Sequence, residues 1–384
     1  MRTITTTEDL ADFCALAKGQ PYVTLDTEFL RERTYWSRLC LIQAALPGAG
    51  EAVLIDPIEG SSMSMEPLYD LFRHEGTVKV FHAARQDLEI FFVEGGVFPK
   101  PLFDTQIAAM VCGFGEQVGY ETLVKKIARA DLDKTSRFTD WSHRPLSDAQ
   151  KDYALADVTH LRVIYEWLAG QLAKNGRAEW VAEELAVLTD PATYTVNPDD
   201  AWMRIKTRTT SGRFLAVVKC LARFREAYAQ GQNVPRSRVM KDDALLELAS
   251  TRPTTPEELG RSRLLMREGR KPEIAEGILA AVKAGLEMRP EEMPKIDQPR
   301  DQLQVNPALA DLLRVLLKAK AESLGVAPRL IAGSADLDLI AAGEREIAAL
   351  KGWRLEAFGE DAVRLCKGEI ALSAKGNEVR VVRL

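Results

Sequence analysis

This chain of 384 residues predicts an α/β domain on a mixed sheet, followed by a helical C-terminal half. Three observations carry that prediction. Over roughly the first 170 residues, short apolar β-branched runs alternate with amphipathic stretches at helical spacing, the α/β pattern. The first three runs follow one another too closely for helical crossovers, which favours an antiparallel meander. Beyond a proline-rich break near residue 189, nearly everything has the periodicity of helix.

In order, the strands are expected at Tyr22–Phe29, Leu39–Ala45, Ala52–Asp56 and Val78–Phe81. Each is a short β-branched or apolar run bounded by turn formers or charge. Helices should start near Glu8, Met65, Arg85, Thr105, Tyr120 and Ser147, the last running to about Leu168. A first domain therefore spans residues 1–188. Thr189–Asp200, rich in proline and turn formers, reads as a linker. Residues 201–288 form a helical domain, with Phe214, Val217, Val218, Leu221 and Phe224 marking one buried face and Leu245, Leu246 and Leu248 another. A second linker, Arg289–Arg300, leads to residues 301–384. There helices are expected at Pro307–Leu324 and Ser334–Ala342, and the alternating run around Gly376-Asn377 signals a β-hairpin. This length supports two or three domains, each with its own core.

Acidic residues fall where these elements could gather them. Asp26 and Glu28 interrupt the apolar strand Tyr22–Phe29, and positions i and i+2 share one face of a strand. Tyr153 and Asp157 lie four apart on the helix that starts near Ser147, so a phenol and a carboxylate are neighbours on its surface. Asp87 follows the strand Val78–Phe81, where strand gives way to helix. Taken singly, each acid is better explained as a solvated surface group and Tyr153 as a packed aromatic. As an ordered set they require relief, because four carboxylates in one cleft repel strongly. Divalent cations with oxygen ligands supply that relief, and a pair of them is the machinery of phosphodiester cleavage. The residues point to a nuclease.

These motifs resemble the DEDD superfamily of 3′–5′ exonucleases, in the branch with a tyrosine four residues before the last aspartate. Leu-Asp-Thr-Glu-Phe-Leu-Arg-Glu-Arg-Thr-Tyr-Trp at 25–36, Leu-Cys-Leu-Ile-Gln at 39–43, Phe-Asp-Thr-Gln-Ile at 103–107, Thr-Asp-Trp at 139–141 and Arg-Pro-Leu at 144–146 are similar to the ribonuclease D family in particular. The resemblance implies a ribonuclease-H-like exonuclease domain, an HRDC domain at 201–288 and a degenerate HRDC-like region at 301–384. It also implies two divalent cations, Mg²⁺ or Mn²⁺. Asp26 would bridge them, Glu28 and Asp157 would complete the ion that activates water, and Asp87 would hold the second. Tyr153 would position the attacking water, its ordinary pKa of about 10 making it a poor base at neutral pH. The implied substrate is RNA with a free 3′ end, chiefly precursor tRNA and other small structured RNAs, shortened to nucleoside 5′-monophosphates.

Composition fits a cytoplasmic enzyme, and a monomer is expected. Hydrophobic residues make up 46% and charged residues 28%, ordinary for a globular protein. No signal peptide or membrane-spanning run is present, and five widely spaced cysteines suit a reducing compartment better than a disulfide framework. His82 and His160 fall near the acidic motifs, yet packing roles suit them better than metal ligation. The net charge of −5 is unexpected for a nucleic-acid enzyme. Locally the sign reverses: from Arg204 to Lys241 only Glu226 opposes a run of arginines and lysines, and a local basic surface can attract phosphate. Arg204, Lys206 and Arg208 are its candidate RNA contacts. A proofreading-type DNA exonuclease and a catalytically idle RNA-binding protein are the competing readings. Parallel assays on single-stranded DNA and RNA separate the first, and the presence of every acid together with Tyr153 disfavours the second.

Overall fold

The computed structural model describes residues 2–133, 135–209, 211–295 and 305–384, so the end of the second expected linker lies outside it. A six-stranded mixed sheet organises the N-terminal domain, in the order β1-β4-β3-β2-β5-β6. The strands are β1 (Arg2–Ile4), β2 (Tyr22–Leu30), β3 (Arg38–Ala45), β4 (Ala52–Ile55), β5 (Val78–Phe81) and β6 (Leu102–Asp104). The meander β2-β3-β4 is antiparallel as expected. Around it, β1 runs parallel to β4, β5 parallel to β2, and β6 parallel to β5. The two edge strands were not anticipated. Each has three residues, too few to show alternation.

Strand β2 is central, and its two faces have different neighbours. Val23 and Leu25 join the core formed with α1 (Thr7–Lys18), α2 (Glu66–Arg73) and α3 (Arg85–Gly95). The opposite face carries Thr24, Asp26 and Glu28. Helices α4 (Thr105–Val111) and α5 (Tyr120–Leu123) precede the long α6 (Asp148–Asn175), which crosses that second face. There the Thr24 hydroxyl donates to the Val158 carbonyl at 2.8 Å. Ser147 opens α6 with a reciprocal capping box to Gln150, which satisfies two backbone donors of its first turn.

After α7 (Ala178–Leu188), the expected linker is packed down: Tyr194 is buried against Phe92 and Phe98. Next comes a helical unit of α8 (Gly212–Gly231), α9 (Arg236–Val239), α10 (Asp242–Thr251), α11 (Pro256–Gly260) and α12 (Pro272–Glu287). Its core is built around Leu215, Val218, Leu221, Leu245, Leu248, Ile278 and Val282, and from the first domain it takes in only Tyr35, with Trp36 packed against it. Gly285 lets α12 approach α8 closely, since a Cβ there would stand 2.6 Å from the Cα of Val217.

The last stretch contains α13 (Pro307–Leu324), α14 (Pro328–Ile331), α15 (Ser334–Ala341), α16 (Gly352–Arg354) and α17 (Glu360–Cys366), then the hairpin β7 (Ile370–Lys375) and β8 (Glu378–Arg383). Gly376 takes φ +64° at the first central position of the turn, the place where a tight hairpin uses glycine. This region departs from the expectation of a separate core. Leu313, Leu316, Ile331 and Phe358 form one cluster with Ala108, Val111, Ile164, Leu168 and Leu172 of the N-terminal domain. Trp353 stacks on Trp180 at 4.3 Å between ring centroids.

Candidate active site

Strand β2 and helix α6 bring three carboxylates together. Oxygens of Asp26, Glu28 and Asp157 all lie within 4.8 Å of one another. The β2 spacing puts the first two on one face, and α6 lies across that face with Asp157 turned towards them. Tyr153, one turn earlier on α6, hydrogen-bonds the Asp157 carboxylate. Asp87 arrives from α3 on the other side of the strand end, where it accepts a hydrogen bond from the Thr27 hydroxyl. It stands outside the three-oxygen cluster, but its charge acts on Glu28, and the charge of Asp26 acts on it. A bulge between Glu28 and Phe29 shifts the β2–β3 register just past the site, the local kink by which bulges re-aim strands.

Crowding makes these acids reluctant to ionise. Burial, then the neighbouring carboxylates Asp26, Asp157 and Asp87, push Glu28 up to about 10, with Arg137 opposing. Burial raises Asp157 to about 7 despite the Tyr153 hydrogen bond and Arg137. Asp26 is held well above the usual carboxylate range by burial and by Asp157. Asp87 is raised by burial and by Asp26, with the Thr27 hydroxyl pulling the other way. Tyr153 is raised by burial and by the carboxylates, so its phenol stays protonated and acts as a donor.

The donor set fits hard divalent cations. It consists of carboxylate oxygens with no thiolate or imidazole among them, the chemistry that suits Mg²⁺ and Mn²⁺. Gln43, paired across the sheet with Asp26, is fully buried with both amide atoms lacking a protein partner. A buried polar group of that kind calls for water or an ion-bound network to complete it.

Several supporting residues escaped the sequence reading, although most lie in stretches that carried the family resemblance. Asp104 caps α4 and accepts from the backbone amides of Ala83 and Ala84, pinning the turn that launches α3 and Asp87. Ala83 has φ +58° in that turn. The Tyr120 hydroxyl donates to the carbonyls of Ala156 and Asp157, at 3.1 and 2.6 Å, and so fixes the α6 turn that carries Asp157. Arg144 grips the buried Asp56 through two bonds of 2.6 and 2.7 Å and also holds the carbonyls of Trp141 and Cys40. Trp141 in turn packs beside Tyr153. Arg137 lines the cleft with Tyr120, Tyr153 and Asp157, and its charge is felt by Glu28 and Asp157. His82 also lines the cleft, where its Nδ1 lies 3.0 Å from the Thr105 hydroxyl. Of the basic run, Arg213 binds the last carbonyls of α12, and Arg225 and Arg236 pair with Asp242 and Glu226. Arg204, Lys206 and Arg208 remain exposed.

Fold and site together define a 3′–5′ exonuclease joined to a helical module. Residues 1–173 match the family model described as 3′–5′ exonuclease, and residues 214–282 match the HRDC domain. The chain belongs to the ribonuclease D family. It is 63% identical over its full length to ribonuclease D of Jannaschia sp., covering 99% of that protein. To ribonuclease D of Granulibacter bethesdensis it is 46% identical, across 99% of this chain and 96% of that one. Among solved structures, Escherichia coli ribonuclease D, an exoribonuclease involved in structured RNA processing, superposes with a TM-score of 0.81 at 28% identity. That match covers 96% of this chain and 98% of the other.

Proposed function

We propose that this exoribonuclease trims the 3′ extensions of structured RNA, chiefly precursor tRNA, one nucleotide at a time in the cytoplasm. The observation that carries the site assignment is the Asp26, Glu28 and Asp157 oxygen cluster with Tyr153 bonded to its last member. Asp26, Glu28, Asp87 and Asp157 are the residues that would hold two divalent cations. When bound, such ions neutralise charge on the scissile phosphate and make water a competent nucleophile at neutral pH.

The chain's own residues supply placement. Tyr153, protonated and backed by Trp141, offers its hydroxyl to orient the attacking water rather than to take its proton. Arg137 presents a fixed positive charge at the cleft, where the phosphate approaches. Attack of water on phosphorus expels the 3′ oxygen of the preceding nucleotide and frees a nucleoside 5′-monophosphate. The direct test is incubation with Mg²⁺ and a tRNA bearing a 3′ trailer. Stepwise shortening with release of mononucleotides is expected, and the same RNA ending in a 3′-phosphate should resist. Internal cuts, or equal attack on the blocked end, would overturn the assignment. Single-stranded DNA serves as the parallel substrate, and preferential DNA cleavage would favour the proofreading alternative. No helix among the described residues is long and apolar enough to cross a membrane.

A further inference from the structure

Beside the carboxylates lies a second cleft, of about 260 Å³, between the exonuclease domain and the HRDC unit. Four arginines line it: Arg31 just past β2, Arg85 in the first turn of α3, Arg204 in the segment leading to α8, and Arg236 on α9. Two of them are already occupied. Arg31 pairs with Glu89, and Arg236 pairs with the buried Glu226 while stacking over the Tyr35 ring at 4.5 Å. Arg85 and Arg204 are exposed and, among the described residues, form no ion pair. One belongs to each domain, and both face the same cleft.

The cleft has fixed walls. The backbone amides of Tyr35 and Trp36 both donate to Oδ1 of Asn233, at 3.0 and 2.9 Å. The Tyr35 hydroxyl bonds Glu226, and Gln230 ties the same cluster to the Val196 carbonyl. This clamp joins the two domains directly behind the unpaired arginines. Trp36, half-buried, lines the cleft and offers a face on which a base can stack.

Chain geometry sets its distance from the reacting centre. Arg85 is two residues before Asp87 in one helical turn, a rise of about 3 Å along the axis. Arg31 is three residues past Glu28, at most about 10 Å along extended chain. A strand that leaves the carboxylates past the end of β2 and the start of α3 would meet this opening, since Arg31 and Arg85 line it from those two elements. Resting on the exoribonuclease reading above, we infer that the cleft is a phosphate track for the RNA strand upstream of the scissile bond, with Arg85 and Arg204 contacting its backbone and Trp36 stacking on a base. Guanidinium groups suit phosphate oxygens because their N–H donors are fixed in a fork.

The test uses the full chain with Mg²⁺ and single-stranded RNAs of increasing length, from a dinucleotide upward. For the wild type, KM should fall in a step once the strand is long enough to leave the carboxylates and enter the cleft. The double variant Arg85→Ser/Arg204→Ser should lose that step in KM. Its slope of log kcat/KM against log salt on the long strand should flatten by about 1.4, two single-strand phosphate contacts at about 0.7 each. The conservative pair Arg85→Lys/Arg204→Lys should restore most of both, which separates lost charge from misfolding. A serine pair that keeps the step and the slope overturns the track while leaving the exoribonuclease intact. A lysine pair as impaired as the serine pair also overturns it, because the defect is then not one of charge. If the wild type degrades none of these strands, the underlying activity fails, and with it the inference.

Discussion

The role proposed for Tyr153 rests on where it stands: a phenol one helical turn from Asp157, raised by burial and by a cluster of negative charge, can donate a hydrogen bond but not accept a proton at neutral pH. Tyr153→Phe keeps the ring against Trp141 and removes only the hydroxyl. Steady-state kinetics on a trailer-bearing tRNA should show kcat lower by about 10²-fold with KM little changed. An unaltered kcat would reduce Tyr153 to a packing residue. Asp26→Asn and Asp157→Asn should each abolish trimming, since an amide cannot balance divalent charge, while relieving repulsion in the metal-free chain. Their melting temperatures in chelator should therefore equal or exceed that of the wild type, and Mn²⁺ should raise them less. The pH dependence has a definite sign. Asp157 at about 7 and Glu28 at about 10 hold protons in the folded chain that the unfolded chain has already lost. Their contribution to stability is whole below the unfolded carboxylate pKa of about 4 and is lost as pH rises through 7 towards 10. Thermal melts in chelator should thus weaken between about pH 5 and about pH 9, and Asp157→Asn should flatten the part centred near neutrality. Melting that strengthens with pH over that window would refute this charge picture.

Helix α6 shows what an element contributes that its residues alone cannot. It carries Tyr153 and Asp157, lies across the polar face of β2, and is held there by the Tyr120 hydroxyl on one flank. On the other flank, Arg144 and Asp56 secure the Trp141 segment behind Tyr153. Arg144→Met leaves the Asp56 carboxylate buried and unpaired, which should cost about 3–5 kcal/mol by chemical denaturation. Adding Asp56→Leu should recover much of that loss, because a buried ion pair replaced as a whole costs far less than one broken in half. A single variant as stable as the wild type would show that the pair does not hold the segment. Much of this element level was legible in advance. Strand β2 and the starts of α3, α4, α5 and α6 fall within a residue or so of where periodicity and capping residues put them. So did the pairing of Asp26 with Glu28 and of Tyr153 with Asp157, since both depend on local spacing. What stayed hidden depends on long-range contact. Nothing in the spacing says that Asp104 would hold the turn before α3, or that Gln43 would sit opposite Asp26 with its amide unmet. The edge strands β1 and β6 were equally invisible, as three residues paired only to distant neighbours.

For the whole molecule, the informative fact is that sequence order and core membership disagree. The HRDC unit, in the middle of the chain, closes a core that borrows only Tyr35 and Trp36 from the first domain, whereas the last stretch completes the core of the first domain. Trp353, stacked on Trp180 and almost fully buried, is the natural probe of that union. Trp353→Ala should cost about 3–5 kcal/mol, and the loss should appear in the transition that also unfolds the active-site domain. Loss confined to a separate transition, with trimming activity surviving past it, would show that the C-terminal region folds independently. The basic run was harder to read at this scale. Sequence shows its charge but not its pairing, and Arg213, Arg225 and Arg236 are consumed in holding helices and domains together.

The shared core also bears on how the protein is made. A ribosome delivers the N-terminal domain first, and early-emerging domains ordinarily fold as they appear. Here the apolar flank formed by Ala108, Val111, Ile164, Leu168 and Leu172 has to wait for Leu313, Phe358 and Ile370, with the entire HRDC unit synthesised in between. Until those residues arrive, the nascent nuclease carries an open greasy seam. Chains stalled or truncated before about residue 370 should be sticky clients of chaperones rather than small working exonucleases. Arrival of the last stretch, and not of the catalytic segment, is the moment at which the core of this nuclease closes.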